Sequence, residues 1–263
     1  MAGRRSAFLN VMIDAAEKAG RALTRDFGEV EQLQVSKKGP GDFVSAADRK
    51  SEKILKEELL KARPSFGFLL EEEGEVKGED PSYRWIIDPL DGTTNFLHGL
   101  PHWAISIALE KDGEVIVGVI HDPIKHELFY AEKGAGAFSD SKRMRVAGRT
   151  TLVDGLVAVG DKFFERDVFP SGLGVRRMGS AALSLAYVAA GRFDAYWEEG
   201  PKPWDKAAGS LMVKEAGGYV AEIDGGKNVV YGRGIVATSP SLQVDLMQRL
   251  KYPKDIAKAK TAP

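Results

Sequence analysis

Carboxylates recur in this chain where apolar runs stop. Residues 84–99 read R-W-I-I-D-P-L-D-G-T-T-N-F-L-H-G. An apolar strand ends at Asp88, Pro89 is expected to stop its ladder, and Asp91 follows on a tight turn. Two carboxylates so spaced can converge on one point. In a low-dielectric cleft their repulsion is costly unless a cation lies between them. Ligands that are all oxygen favour Mg²⁺, Mn²⁺ or Ca²⁺ over zinc. The amides of Gly92, Thr93 and Thr94 would open a short helix or nest suited to a phosphate oxygen. Taken singly, D-P-x-D-G is also an Asp-Gly turn with an Asp cap. Glu71-Glu72-Glu73 closes a second apolar run, and Asp205 stands before a helix expected over 206–216. Alone, the first reads as a solvated loop and the second as a helix cap. Together, acids at the ends of three distant segments are better explained by one shared metal cluster.

The elements that must position these acids follow from periodicity. Apolar spacings of three and four over 6–26 and 46–62 predict amphipathic helices. Residues 36–44, rich in Gly and Pro, predict an exposed loop. Short strand-like runs follow at 66–70, 84–87, 103–109, 115–120 and 127–131, separated by turn residues such as Asp112-Gly113. Beyond residue 142 the pattern restarts, with strands at 156–160, 193–197 and 234–238. Helices are expected at 180–190, closed by Gly191, and at 206–216, stopped by Gly217-Gly218. A last helix over 240–250 would take Ser239 as its cap and Pro240 at its first position. The lysine-rich end, 251–263, is expected to be loosely held. Helices alternate with strands joined by hairpin-length turns, so the fold class is α/β, a layered α+β sandwich rather than a doubly wound parallel sheet. A division near residue 145 is expected, giving an N-terminal half (1–145) with most of the acids and a C-terminal half (146–263) with Asp205, in one compact unit.

Composition narrows the chemistry. Of 263 residues, 43% are hydrophobic and 29% charged, with a net charge of −1. That balance argues against a general electrostatic grip on nucleic acid or anionic lipid. No apolar run approaches the ~20 residues of a membrane span. The opening M-A-G-R-R-S-A-F-L-N reads as the start of a helix, not a signal peptide. With Cys 0, a thiolate metal site and a Cys nucleophile are excluded, and a reducing cytoplasm is the simplest location. His98, His102, His121 and His126 form no H-E-x-x-H, and each is expected to be structural. Trp85, Trp103 and Trp197 are expected in the core, with Trp204 packed behind Asp205. Lys37 and Lys38 read as solvated loop lysines, with closure over a phosphate as the alternative.

D-P-L-D-G-T-T-N-F at 88–96 resembles the first signature of the inositol monophosphatase family. W-D-K-A-A-G at 204–209, followed by E-A-G-G at 215–218, resembles its second. G-A-G-A at 134–137 and M-G-S-A-A at 178–182 are also similar to the family pattern. The likeness covers about residues 6–250 and implies an alternating αβαβα sandwich of the sugar-phosphatase type. It further implies metal ligation by Glu71, Asp88, the Leu90 carbonyl, Asp91 and Asp205. Two or three Mg²⁺ ions would be held there, with Mn²⁺ possible. Gly92 and Thr93 would donate amides to phosphate. Thr93, polarised by Asp48, would touch the attacking water, with Glu71 as a further proton acceptor. Glu198, Ala181 and Asp205 would meet the substrate. The triple Glu run leaves Glu72 as an alternative to Glu71, and Glu199 is an alternative to Glu198. The implied activity is hydrolysis of a small-molecule phosphate monoester, with myo-inositol 1-phosphate leading. Histidinol-phosphate phosphatase, fructose-1,6-bisphosphatase and a regulatory RNA- or protein-binding role are the alternatives. A homodimer and lithium sensitivity are implied as well.

Overall fold

A computed structural model describes residues 5–29, 35–39, 42–160 and 172–251, the side chains of 35–39, 42–45 and 251 excepted. Helix α1 (Ala7–Phe27) is capped by the Ser6 hydroxyl, which accepts from the Leu9 amide at 3.1 Å. It lies beside α2 (Ala46–Ala62), and both cover one face of an eight-stranded sheet. That sheet contains β3 (Phe66–Leu70), β4 (Gly74–Val76), β5 (Asp80–Asp91), β6 (Ala104–Lys111), β7 (Glu114–Asp122), β8 (Glu127–Glu132), β9 (Gly136–Ser139) and β10 (Lys142–Arg143). Their order is β10-β9-β8-β7-β6-β5-β3-β4, antiparallel except for β3 beside β5. The apolar face between this sheet and α1 and α2 buries Leu9, Met12, Leu55, Trp85, Ile107 and Trp103.

The opposite face packs on α4 (Ala181–Ala189) and α5 (Pro203–Glu215). Beyond them lies a five-stranded sheet, ordered β12-β11-β13-β15-β14. Its strands are β11 (Leu156–Val159), β12 (Gly174–Arg176), β13 (Ala195–Glu199), β14 (Tyr219–Ala221) and β15 (Gly234–Thr238). Its outer face is covered by α6 (Gln243–Lys251) and the residue before it, through Leu242, Leu246 and Leu250. The layers therefore run helix, sheet, helix, sheet, helix: the alternating αβαβα sandwich expected from the sequence. Two apolar faces explain why α4 is buried almost all round rather than along one stripe.

Residues 204–209, W-D-K-A-A-G, have a packing reason for their small side chains. A Cβ on Gly209 would sit 2.5 Å from the Leu185 Cβ of α4, and one on Gly118 would meet Ala208 Cα at 3.0 Å. Helix α5 therefore lies unusually close to both α4 and β7.

Five expectations are corrected. Part of the exposed loop expected at 36–44 is an antiparallel hairpin of β1 (Val35–Gly39) and β2 (Asp42–Ser45). Residues 40–41, between the two strands, lie outside those described. Pro89 does not stop its ladder. Strand β5 continues to Asp91 through a register shift between Asp88 and Asp91, where the missing proline N–H is tolerated. Helix α5 begins at Pro203, its first position, with Lys202 as N-cap. This puts Asp205 inside the first turn rather than before the helix. The last helix starts at Gln243, not Pro240, and Ser239 Oγ caps nothing. Tyr196, Glu198 and Glu199 fall in β13, which begins at Ala195 instead of residue 193. The loosely held end expected at 251–263 falls outside the described residues after 251, as do the side chains of Lys37 and Lys38.

Candidate active site

The ends of β3 and β5, the short helix α3 (Thr93–Leu97) and the starts of α4 and α5 open onto one cleft of about 180 Å³. Glu71, Asp88, Leu90, Asp91, Gly92, Thr93, Ala181, Glu198 and Asp205 all line it. Asp48 lies behind, 1% exposed on α2, with its carboxylate 3.3 Å from Thr93 Oγ1. The structure thus brings together every expected site residue. Glu71 faces the cleft, whereas the backbone of Glu72 is held elsewhere. Along β13, Glu198 lines the cleft on the same face as Tyr196; Glu199 does not line it.

Oxygens of Asp88, Asp91 and Asp205 lie within 4.8 Å of one another. No Lys or Arg lines the cleft among the described residues. The electrostatic result is strong. Burial, then the charges of Asp205 and Asp48, raise Glu71 from 4.5 to about 8. Burial, then the charge of Glu71, holds Asp88 well above the usual carboxylate range. Burial and the charge of Asp91 raise Asp205 to about 7. Asp91 rises only to about 6, because burial is opposed by donors at the start of α4. These are the Ser180 hydroxyl, the Ala182 amide at 2.9 Å and the Ala181 amide at 3.2 Å. Four crowded acids of oxygen-only character, Asp88 and Asp91 buried and Glu71 and Asp205 half-buried, match the donor set of a hard divalent cation.

Local structure fixes each ligand. Gly92 adopts φ 96, a conformation disfavoured for other residues, and a Cβ there would meet the His102 carbonyl at 3.1 Å. The turn thereby sends α3 away from β5 immediately after Asp91. Asn95 donates to the carbonyls of His102 and Met178, both at 2.8 Å, tying α3 to the loop before α4. The Thr93 hydroxyl has two acceptors in reach, Leu90 O at 2.9 Å and Asp48 Oδ1 at 3.3 Å. Glu198 accepts from the buried Tyr196 hydroxyl. A Cβ on Gly160 would lie 2.1 Å from Glu198 Cγ, so only glycine leaves that carboxylate its place.

Sequence reasoning missed the supports on α2. Ser51 Oγ donates to Pro89 O at 2.8 Å, and Glu52 accepts from the amides of Glu72 and Glu73 at 2.8 and 3.1 Å. Positions 48, 51 and 52 share one helix face, so a single helix braces Thr93, the bulge between Asp88 and Asp91, and the turn after Glu71. The i, i+3, i+4 spacing of polar residues was visible, but it also describes a solvated face. Glu215 was quoted only as part of a motif. Its carboxylate accepts from Gly134 and Gly136 amides at 2.8 and 2.9 Å, which joins two separate motifs. His102 is buried, and its Nδ1 lies 3.4 Å from Lys125 Nζ. Trp85, Trp103 and Trp197 are all in the core. Among the described residues no helix is long and apolar enough to cross a membrane.

Comparison with known proteins agrees with this geometry. The model of the inositol monophosphatase family matches residues 4–252. An inositol-1-monophosphatase of Mesorhizobium japonicum is 54% identical over 260 residues, covering 95% of this chain and 98% of that protein. The Nus factor SuhB of Escherichia coli K12 is 38% identical, covering 92% of this chain and 95% of that protein. The crystal structure of extragenic suppressor protein suhB from Bartonella henselae superposes with a TM-score of 0.89 at 52% identity, covering 94% of this chain and 99% of that one. An acid-lined cleft in an αβαβα sandwich and a family match along almost its whole length lead to one conclusion: this chain belongs to the inositol monophosphatase family.

Proposed function

We propose that the cleft hydrolyses the phosphate monoester of a polyol, with myo-inositol 1-phosphate as the leading substrate, in a Mg²⁺-dependent reaction. The observation that carries this reading is the meeting of Glu71, Asp88, Asp91 and Asp205 in a cleft that, among the described residues, no basic side chain lines. These four acids and the Leu90 carbonyl would hold the metal. When bound, divalent cations supply a more acidic water and charge stabilisation for the attacking and leaving oxygens.

The chain's own groups supply the rest. First-turn amides of α3, at Gly92 and Thr93, have no partner within the helix and are available to phosphate oxygens. With its proton directed to Asp48, Thr93 Oγ1 presents a lone pair to the attacking water and orients it. Asp48 is placed to receive the proton through Thr93, and Glu71 is a second acceptor. Glu198, fixed by Tyr196 and the absence of a side chain at Gly160, accepts hydrogen bonds from the hydroxyls of the leaving polyol. Ala181, at the start of α4, is small enough to leave that ring room.

A bisphosphate would call for basic side chains at its second phosphate, and the described residues of the cleft lining supply none, which favours a monophosphate. The same family reading includes inhibition by lithium, a homodimer and a cytoplasmic location. Phosphate release should be measured from myo-inositol 1-phosphate, histidinol phosphate and fructose 1,6-bisphosphate, with Mg²⁺ and with EDTA. Mg²⁺-dependent release, fastest from the inositol ester, is expected. Absence of Mg²⁺-dependent release from all three would refute the reading. A salt-sensitive RNA mobility shift by a catalytically silent protein would instead favour a regulatory role.

A further inference from the structure

Lys206 follows Asp205 on α5, yet its residue is 0% exposed. Its Nζ donates to the Gly232 carbonyl at 2.8 Å. Gly232 sits in the turn that leads into β15. That turn is closed by the Gly232 amide on Asn228 O at 2.7 Å and by the Arg233 amide on Glu222 Oε2 at 3.3 Å. The Gly200 amide, just past β13, donates to Arg233 O at 2.7 Å. Strand β15 then pairs with β13, with Ile235 opposite Glu198. One buried cation therefore joins the first turn of α5, which carries Asp205, to the strand pair that carries Glu198. These two carboxylates enter the same cleft from those two elements. A buried ammonium that loses its acceptor is costly, so this bond acts as a fixed strut where a surface lysine would not.

We propose that Lys206 is a positioning residue: through Gly232 it sets the span between Asp205 and Glu198, and so the preference for phosphate esters of hydroxyl-rich alcohols. The proposal rests on the phosphatase reading of the cleft. It gives the W-D-K-A-A-G segment a role in substrate choice that packing of Gly209 alone does not require.

The test compares kcat and KM of wild type, Lys206→Met and Gly232→Ala on myo-inositol 1-phosphate and p-nitrophenyl phosphate at saturating Mg²⁺. Met keeps the length of the stem and removes the donor. A Cβ on Gly232 would lie 2.2 Å from the Glu222 carboxylate and 2.4 Å from Asn228 O, so the turn and its carbonyl must move. The ratio of kcat/KM for the inositol ester to that for the aryl ester is expected to fall at least about tenfold in Lys206→Met, chiefly through KM of the inositol ester. Gly232→Ala should shift it the same way and carries the test if Lys206→Met does not fold. In a Glu198→Gln background, Lys206→Met should lower the ratio no further. An unchanged ratio, or an equal loss on both esters, overturns the proposal. A wild type that hydrolyses neither ester with Mg²⁺ refutes the phosphatase reading itself, and the proposal with it.

Discussion

Glu71→Gln should make the metal-free protein more stable at alkaline pH while disabling it. In the folded chain Glu71 holds its proton up to about 8, against an ordinary 4.5. A raised carboxylate pKa means that the unfolded chain releases a proton which the folded chain keeps. Stability is therefore fully present below about pH 4.5 and is lost as pH rises toward 8. A shift of this size corresponds to about 4 kcal/mol at pH 8. Glu71 is only half-buried, and screening by solvent reduces the expected effect to roughly 2–4 kcal/mol. Gln has the same shape, does not titrate, and can donate its amide toward Asp88. In EDTA the variant should match wild type near pH 5 and exceed it progressively up to pH 8, by several degrees in Tm. With Mg²⁺ added the order should reverse. Wild type gains stability as the ion binds the folded form alone, about 2.7 kcal/mol at a hundred times Kd, while the variant gains far less. The assay is thermal or urea unfolding at pH 5, 6, 7 and 8, with EDTA or Mg²⁺. A Glu71→Gln protein no more stable than wild type in EDTA at pH 8, or stabilised equally by Mg²⁺, would refute the reasoning.

The other predictions concern separate parts of the molecule. Asp91→Asn should lower kcat by at least about 10³-fold with far-UV circular dichroism retained; near-wild-type Mg²⁺-dependent turnover would remove Asp91 from the metal site. Gly209→Ala forces a Cβ to within 2.5 Å of Leu185 Cβ and should cost about 1–3 kcal/mol in urea unfolding; a neutral result would mean that α4 and α5 can separate freely. Burial, then the neighbouring Lys125, lower His102 from 6.5 to about 4, so its contribution to stability is present above pH 6.5 and lost as pH falls toward 4. With Mg²⁺ present, wild type should lose up to about 3 kcal/mol more than His102→Leu across that window, measured by unfolding at each pH. Parallel pH curves for the two proteins would contradict the neutral, buried imidazole.

What could be read from the sequence depended on whether a residue's chemistry and its local pattern pointed the same way. Asp88 and Asp91 were legible because an apolar run, a proline and a glycine mark the end of a buried strand. Glu71 also closes an apolar run, but three consecutive Glu read alone as a solvated loop, and the family resemblance singled it out with Glu72 as the alternative. The layered α/β class followed from long periodic segments such as α1 and α2, and the order of its five layers from the family resemblance. Edge strands β4, β10, β12 and β14 were not legible, since two or three residues carry no periodicity. Pro89 misled because its missing N–H blocks a regular ladder but not a bulge. Asp205 was placed before its helix instead of within it, since Lys202 is an unusual N-cap and only Pro203 marks the true start. The supports were hidden for a different reason. Ser51, Glu52 and Lys206 belong to residue types that usually face water. Their burial follows from how α2 and α5 meet strand ends distant in the chain, a property of the assembled layers that no local window contains. The acids that face the cleft can thus be named from sequence, whereas the polar groups that hold them in place become visible only once the layers are stacked.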